Sequence, residues 1–378
     1  MKKIILILFL ATLGQHVFAQ ANFIPKFIRK MYLDRDTTRK SSFVVLPVFS
    51  TAPETGVEVG GAGLLSFYTD TANRNTRVSN IFAYATITTK GQSRFSLSTS
   101  YWTPGNSYHY IAAVSYINFP FDFYGVGNNT LKSDADRLGL KRFKVALNAE
   151  KKVSSHFYAG LVAGGFDYRF TDKDETGVFE SDPTLYGRHG GTTLYIGPTL
   201  IFDDRNNNTY TTKGAVITSY FDFMRGIGSN SDYSGGLLNI EYAQFFSLTK
   251  KLVLGLDIQE QSLTGSQSPF YLLPAMGSDE MMRGNYNGRF RDRNMLAAQT
   301  ELRYRLSQRL GIVGFIGTGQ VWNSDFSINE FKPNYGGGMR YFFDTQKGLS
   351  VRIDYGVGEK RPNESRQSGI YIGLGEAF

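Results

Sequence analysis

The sequence predicts an all-β protein, a transmembrane antiparallel β-barrel of 16 strands set in a bacterial outer membrane, and three observations predict it. The first is composition. The chain has 378 residues with 41 Gly, 23 Tyr, 30 Phe and no Cys, and its mean hydropathy is −0.25. So many aromatic side chains exclude disorder, because a chain that carries them can bury apolar surface. Beyond the N-terminus no apolar run approaches the roughly 20 residues of a membrane-spanning helix. The absence of cysteine removes disulfide scaffolds, cysteine–zinc sites and thiol nucleophiles together.

The second observation is a period of two. Leu296, Ala298, Thr300, Leu302, Tyr304 and Leu306 alternate with Ala297, Gln299, Glu301, Arg303, Arg305 and Ser307, and Leu349, Val351, Ile353 and Tyr355 alternate with Ser350, Arg352, Asp354 and Gly356. A strand with charges on one face must turn that face to water or to other polar groups. The third is the spacing of connections. Ser154, Leu248-Thr249 and Gln308 lie in tight turns, whereas residues 119–139, 171–191 and 263–293 are long excursions. Short turns on one side and long loops on the other is the pattern of an outer-membrane barrel.

Taken in order, Lys2 and Lys3, an apolar run from Ile4 to Leu13 and the small-residue site at Val17-Phe18-Ala19 read as a secretory signal peptide over residues 1–19. Residues 20–41 form a periplasmic leader. Its Phe23, Ile24, Phe27, Ile28 and Met31 follow helical spacing, so it reads either as an amphipathic helix on the membrane surface or in the lumen, or as a merely ordered leader. Residues 42–378 form the barrel, with strands near 42–50, 56–69, 78–90, 93–102, 107–118, 140–152, 155–170, 192–204, 213–224, 234–247, 250–262, 294–307, 309–322, 334–343, 348–357 and 368–378. Strand parity puts the three long loops outside and both ends of the barrel in the periplasm. Because only every second residue faces lipid while closure satisfies the backbone, mean hydropathy stays low.

The formal charge of +8 raises nucleic acid as a partner, but an exported chain without a clustered basic run excludes it, and outer-membrane lipid headgroups are the expected counter-charge.

Four segments carry a resemblance. They are GPTLIFDDRNNNTYTTKG at 197–214, MMRGNYNGRFRDR at 281–293, FIGTGQVW at 315–322, and the last hairpin at 349–378, with its R-x-D-Y-G and closing Phe378. Together they resemble the BamA/TamA-type (bacterial surface antigen) family of sixteen-stranded outer-membrane barrels, in the form of a short member lacking periplasmic docking domains. The resemblance implies that the sixth extracellular loop folds into the lumen and is latched there by Arg283, Gly284 and Tyr286. Glu301 is the expected partner of Arg283, being inward-facing by the alternation above. Three departures stand out. Gly317 occupies the position of the family's second carboxylate, Asn285 that of the loop's aromatic, and Glu376 a position that is apolar in the strictest C-terminal strand signal. The resemblance further implies a weak lateral seam between Phe43–Phe49 and Ile370–Phe378, carried by Val45, Pro47, Ile370, Ile372, Leu374 and Phe378. Pro47 removes one ladder donor there.

No catalytic residue, metal site or cofactor is expected, and the protein is read as not an enzyme. His109, His156 and His189 have no ligand partner at metal spacing, and His109 shares a strand face with Ser115 at a frequency close to chance. Asp134, Asp136, Asp172, Asp174 and Glu175 read as solvated loop carboxylates. The expected function is insertion or translocation of proteins or lipids through the seam, with client outer-membrane proteins and a separate periplasmic protein as partners. The alternative is a passive channel or structural surface barrel, plugged by its sixth loop.

Overall fold

A computed structural model describes residues 39–52, 56–172, 176–228 and 232–378. The signal peptide and nearly all of the 20–41 leader lie outside the described residues. Sixteen strands follow in one sheet: β1 Ser42–Ala52, β2 Gly56–Phe67, β3 Ser79–Thr88, β4 Ser93–Trp102, β5 Tyr108–Phe123, β6 Asp136–Lys152, β7 Phe157–Thr171 and β8 Gly191–Asp203, then β9 Gly214–Ile227, β10 Ser234–Ser247, β11 Leu252–Thr264, β12 Asn294–Arg305, β13 Leu310–Trp322, β14 Lys332–Asp344, β15 Leu349–Val357 and β16 Ser368–Leu374. Each pairs antiparallel with the next in sequence order. Among the described residues no helix is long and apolar enough to cross a membrane.

Three boundaries differ from expectation by four residues or more. β5 and β6 run further outward than 118 and 140, leaving 124–135 as their loop, because Phe119, Phe121 and Phe123 continue the ladder against Leu140, Leu138 and Asp136. β16 stops at Leu374 and does not reach Phe378. Gly375 takes φ +82°, a left-handed turn that glycine adopts without steric cost, and the chain bends into the lumen.

The period of two sorts the side chains as a membrane demands. On β12, Leu302 and Tyr304 are exposed on the lipid side while Glu301 and Arg303 are buried in the lumen; on β15, Ile353 and Tyr355 are exposed while Arg352 and Asp354 are buried. The segment between β11 and β12 fills part of the lumen. Its Met276, Met281, Met282 and Phe290 form a buried cluster with Met295 and Ala297 of β12 and Val321 of β13.

Among the described residues no ladder joins β1 to β16. The two ends of the sheet meet through side chains instead. Val44, Leu64, Phe343 and Leu349 form a buried cluster, with Leu46, Phe82, Tyr341, Val351 and Leu374 packed against it. Val44, Leu46, Leu64 and Phe82 stand on the inward rows of β1 to β3, whereas Tyr341, Val351 and Leu374 stand on the outward rows of β14 to β16. The N-terminal edge therefore laps over the outside of the C-terminal edge, which is why Leu349 is buried while Ile353, further along the same row, is exposed.

Candidate functional site

The site is built where the loop between β11 and β12 meets the inner wall. Arg283 has no exposed surface. Its Nη1 donates to Asp354 Oδ2 at 2.6 Å, and its Nη2 donates to Glu301 Oε1 and, at 3.4 Å, to Gln299 Oε1. The guanidinium lies 3.6 Å over the ring of Phe315, and the Arg283 carbonyl accepts from Asn334 Nδ2 at 2.9 Å. Alternation puts Glu301, Phe315 and Asp354 on one lumenal face, so the rigid fork of the guanidinium reaches two carboxylates at once.

These carboxylates are shared further. Glu301 Oε2 accepts from Arg303 Nε at 2.8 Å and Asp354 Oδ1 from Arg340 Nη1 at 2.5 Å, while Arg340 Nε reaches Glu376 Oε2 at 2.6 Å. Arg352 Nη2 holds Asp279 Oδ2 at 2.6 Å. Each buried charge in this chain of pairs is thereby matched to at least one opposite charge, the condition under which burial of ions is tolerated.

The loop tip is seated by its backbone. Gly284 takes φ +103°, and a Cβ there would lie 2.5 Å from the backbone of Val357. Its N–H donates to Tyr371 Oη at 2.8 Å. Tyr286 accepts at Oη from the Asp122 N–H at 2.9 Å and meets Tyr124 edge-on at 5.5 Å. Arg289 Nη2 donates to both oxygens of Glu364, at 2.8 and 2.6 Å, tying the loop to the β15–β16 connection. Arg291 is buried, and among the described residues no carboxylate pairs with it. Its guanidinium donates to the Gly288 carbonyl at 2.9 and 2.8 Å and lies 5.3 Å from the Phe123 ring and 5.8 Å from the Phe270 ring, and burial lowers its pKa to about 10.

Of the residues singled out in the sequence, the structure brings Arg283 onto Glu301 and seats Gly284 against Tyr371 and Tyr286 against Asp122. The second carboxylate, absent at Gly317, is supplied by Asp354 of β15, and a Cβ at Gly317 would meet Asn334 Oδ1 at 2.6 Å. The signal for Asp354 was present in the sequence, since it occupies the inward row of the last hairpin. The seam residues divide. Val45, Ile370 and Ile372 are exposed on the lipid side, as is the face of Pro47, whereas Leu374 packs in the seam cluster. Phe378 leaves the seam altogether. Its carbonyl accepts from Arg303 Nη2 at 2.9 Å and its ring lies 5.8 Å from Phe245, inside the lumen. A glutamate suits position 376 because the turn at Gly375 carries its side chain to Arg340.

Burial raises the pKa of Glu364, but the Arg289 hydrogen bond, the Lys132 N–H and the Arg289 charge outweigh it and hold the carboxyl below the usual carboxylate range. A depressed folded-state pKa gives stability that is present above the ordinary value of about 4.3 and lost as pH falls through the lowered one. The clasp between the sixth loop and the β15–β16 connection is therefore expected to hold at pH 7 and to open under acid. Surface proteolysis of intact cells should show wild type at low pH cleaved as fast as Glu364→Gln at pH 7; equal protection of both proteins at every pH would refute this.

The fold and the latch define a bacterial outer-membrane β-barrel with an inward-folded sixth loop. The profile of the Omp85 superfamily domain matches residues 75–378, and the chain belongs to that superfamily. Among solved structures it is similar to BamA from Haemophilus ducreyi lacking POTRA domains 1–3, at 11% identity and a TM-score of 0.56, over 89% of this chain and 70% of that one. It is also similar to CdiB from Acinetobacter baumannii, at 12% identity and a TM-score of 0.54, over 89% of this chain and 60% of that one. CdiB from Escherichia coli matches at 11% identity and a TM-score of 0.55, over 90% of this chain and 63% of that one. At such identities the likeness is one of fold. No curated protein sequence matches the chain.

Proposed function

We propose that the barrel inserts or translocates outer-membrane proteins through the seam between β1 and β16. Membership of the Omp85 superfamily supports protein insertion or translocation as the class of activity. The observation that carries the seam reading is the joint itself, where side-chain packing replaces a β1–β16 ladder among the described residues. Apolar contacts can part and re-form without leaving a row of broken hydrogen bonds, and a parted joint offers strand edges to a client. A periplasmic partner protein would deliver the client, and lipid surrounds the exposed outward rows.

The test locks the joint. A protein with Val44→Cys and Leu374→Cys, bridged by a short bis-maleimide, is expected to leave the outer-membrane proteome of a deletion strain as depleted as no protein at all. The unbridged double variant should restore it. Full restoration by the bridged protein would sink the insertion reading and leave a passive barrel plugged by its sixth loop, the reading that the buried methionine cluster of that loop favours.

A further inference from the structure

Away from the latch, three side chains on adjacent strands stand in a hydrogen-bonded line in the lumen. Ser100 Oγ of β4 lies 2.9 Å from His109 Nε2 of β5, and His109 Nδ1 lies 2.6 Å from Glu150 Oε2 of β6. His109 and Glu150 are buried, at 7% and 2% exposure, while Ser100 is half-buried. The register explains the line. Trp102, His109 and Glu150 pair across β4, β5 and β6, and Ser100 stands one inward position from Trp102. The Trp102 ring stacks on the imidazole at 3.8 Å and 9°, and Tyr158 meets Trp102 edge-on at 5.6 Å, so the imidazole plane is held.

We propose that Ser100, His109 and Glu150 form a nucleophilic site that hydrolyses carboxylic esters entering the lumen. An ionised carboxylate only accepts, so Glu150 places the imidazole proton on Nδ1 and leaves Nε2 to take the proton of Ser100. That is the order of roles that activates a serine: nucleophile, base, orienter. Asn80 is the direct cross-strand partner of Ser100, and its side-chain amide makes no hydrogen bond among the described residues. It stands within about 5 Å, Cα to Cα, where an amide donor can meet a developing oxyanion. The same cross-strand row continues through Ile111 and Asn148 to Val162. Asn148 and Val162 line a cavity of about 290 Å³ whose wall joins Phe166, Met224 and Leu237 to Lys144 and Asp222, a mixed lining two strands from Ser100 that admits a short acyl chain.

In the reaction, Ser100 Oγ bonds to the ester carbonyl carbon as its proton passes to His109 Nε2, and the carbonyl oxygen takes the negative charge. Collapse breaks the bond to the alcohol oxygen, which receives the proton from His109. A water then gives a proton to His109 Nε2 and its oxygen to the acyl carbon. Collapse frees the carboxylic acid, and Ser100 Oγ regains its proton. Ser100 and His109 are the catalytic residues; Glu150 is a positioning residue.

The probes are a fluorophosphonate–biotin reagent and p-nitrophenyl butyrate, applied to the purified full-length barrel in detergent. Fluorophosphonate is expected to add one mass increment at Ser100. Ser100→Ala and His109→Gln should each lose at least ~100-fold of the esterase rate. Glu150→Gln should lower the rate and displace the acidic limb of the pH–rate profile, a change that a purely structural carboxylate would not make. Heat-modifiable migration on gels establishes that each variant is a folded barrel, and Ser100→Thr provides a near-isosteric second variant. No adduct at Ser100 above the Ser100→Ala background, or an esterase rate unchanged in folded Ser100→Ala, overturns the proposal.

Discussion

Replacing Arg283 by alanine is expected to destabilise the barrel by about 3 kcal/mol, because two buried carboxylates each lose one of their charged partners. The size follows from the site. Glu301 and Asp354 have no exposed surface and share three arginines with Arg283, so removal of its fork takes a donor from each carboxylate in one step. It also removes the cation over Phe315 and lets the carbonyl that holds Asn334 move. Arg283→Lys keeps the charge but cannot bridge two carboxylates with a planar fork, so it should recover only part of the loss. Urea unfolding followed by tryptophan fluorescence in detergent measures both. Variants within about 0.5 kcal/mol of wild type, the range of ordinary surface changes, would show that the latch carries little of the stability.

Gly284→Val is the second large effect, and it is expected to unseat the loop tip while the strands remain. At φ +103° a β-branched residue is strained, and its Cβ would sit 2.5 Å from backbone atoms of Val357, which has no flexible end to move aside. The combined cost is about 3 kcal/mol or more, borne by the loop because β15 is held on both sides by ladders. With the tip withdrawn, the lumen should conduct. Planar-bilayer conductance is expected to rise well above wild type, with heat-modifiable migration unchanged. A quiet bilayer and unchanged protection of residues 275–290 from protease would show that the loop accommodates the valine.

These two effects separate stability from closure. Arg283 holds charge in the wall as well as the loop, whereas Gly284 permits the loop's approach and contributes one backbone hydrogen bond. The seam lies beside both, because Tyr371 of β16 accepts from the Gly284 N–H and Arg340 ties Asp354 to the inward-turned Glu376. A movement of the sixth loop is therefore felt at β16 through direct hydrogen bonds.

What the sequence determined by itself was whatever repeats locally. Period two is a property of neighbouring residues, so sixteen strands, the lipid-facing rows and the inward placement of Glu301, Arg303, Arg352 and Asp354 were all legible from the order of residues alone. The Arg283-Gly284 latch was implied by the resemblance of one loop to a known family, and not by the period of two. Other features depend on which distant residues share a cross-strand row, and only the tertiary structure decided them. Asp354 replaces the carboxylate missing at Gly317 because β12 to β15 lie side by side in register. His109 meets Ser100 and Glu150 rather than Ser115, since its partners stand across the sheet while Ser115 lies six residues along its own strand. The turn at Gly375 and the lapped edges at Val44 and Leu374 likewise arise from closing a finite sheet. Where its two ends meet is set by the twist and registers accumulated over sixteen strands, which no single segment encodes.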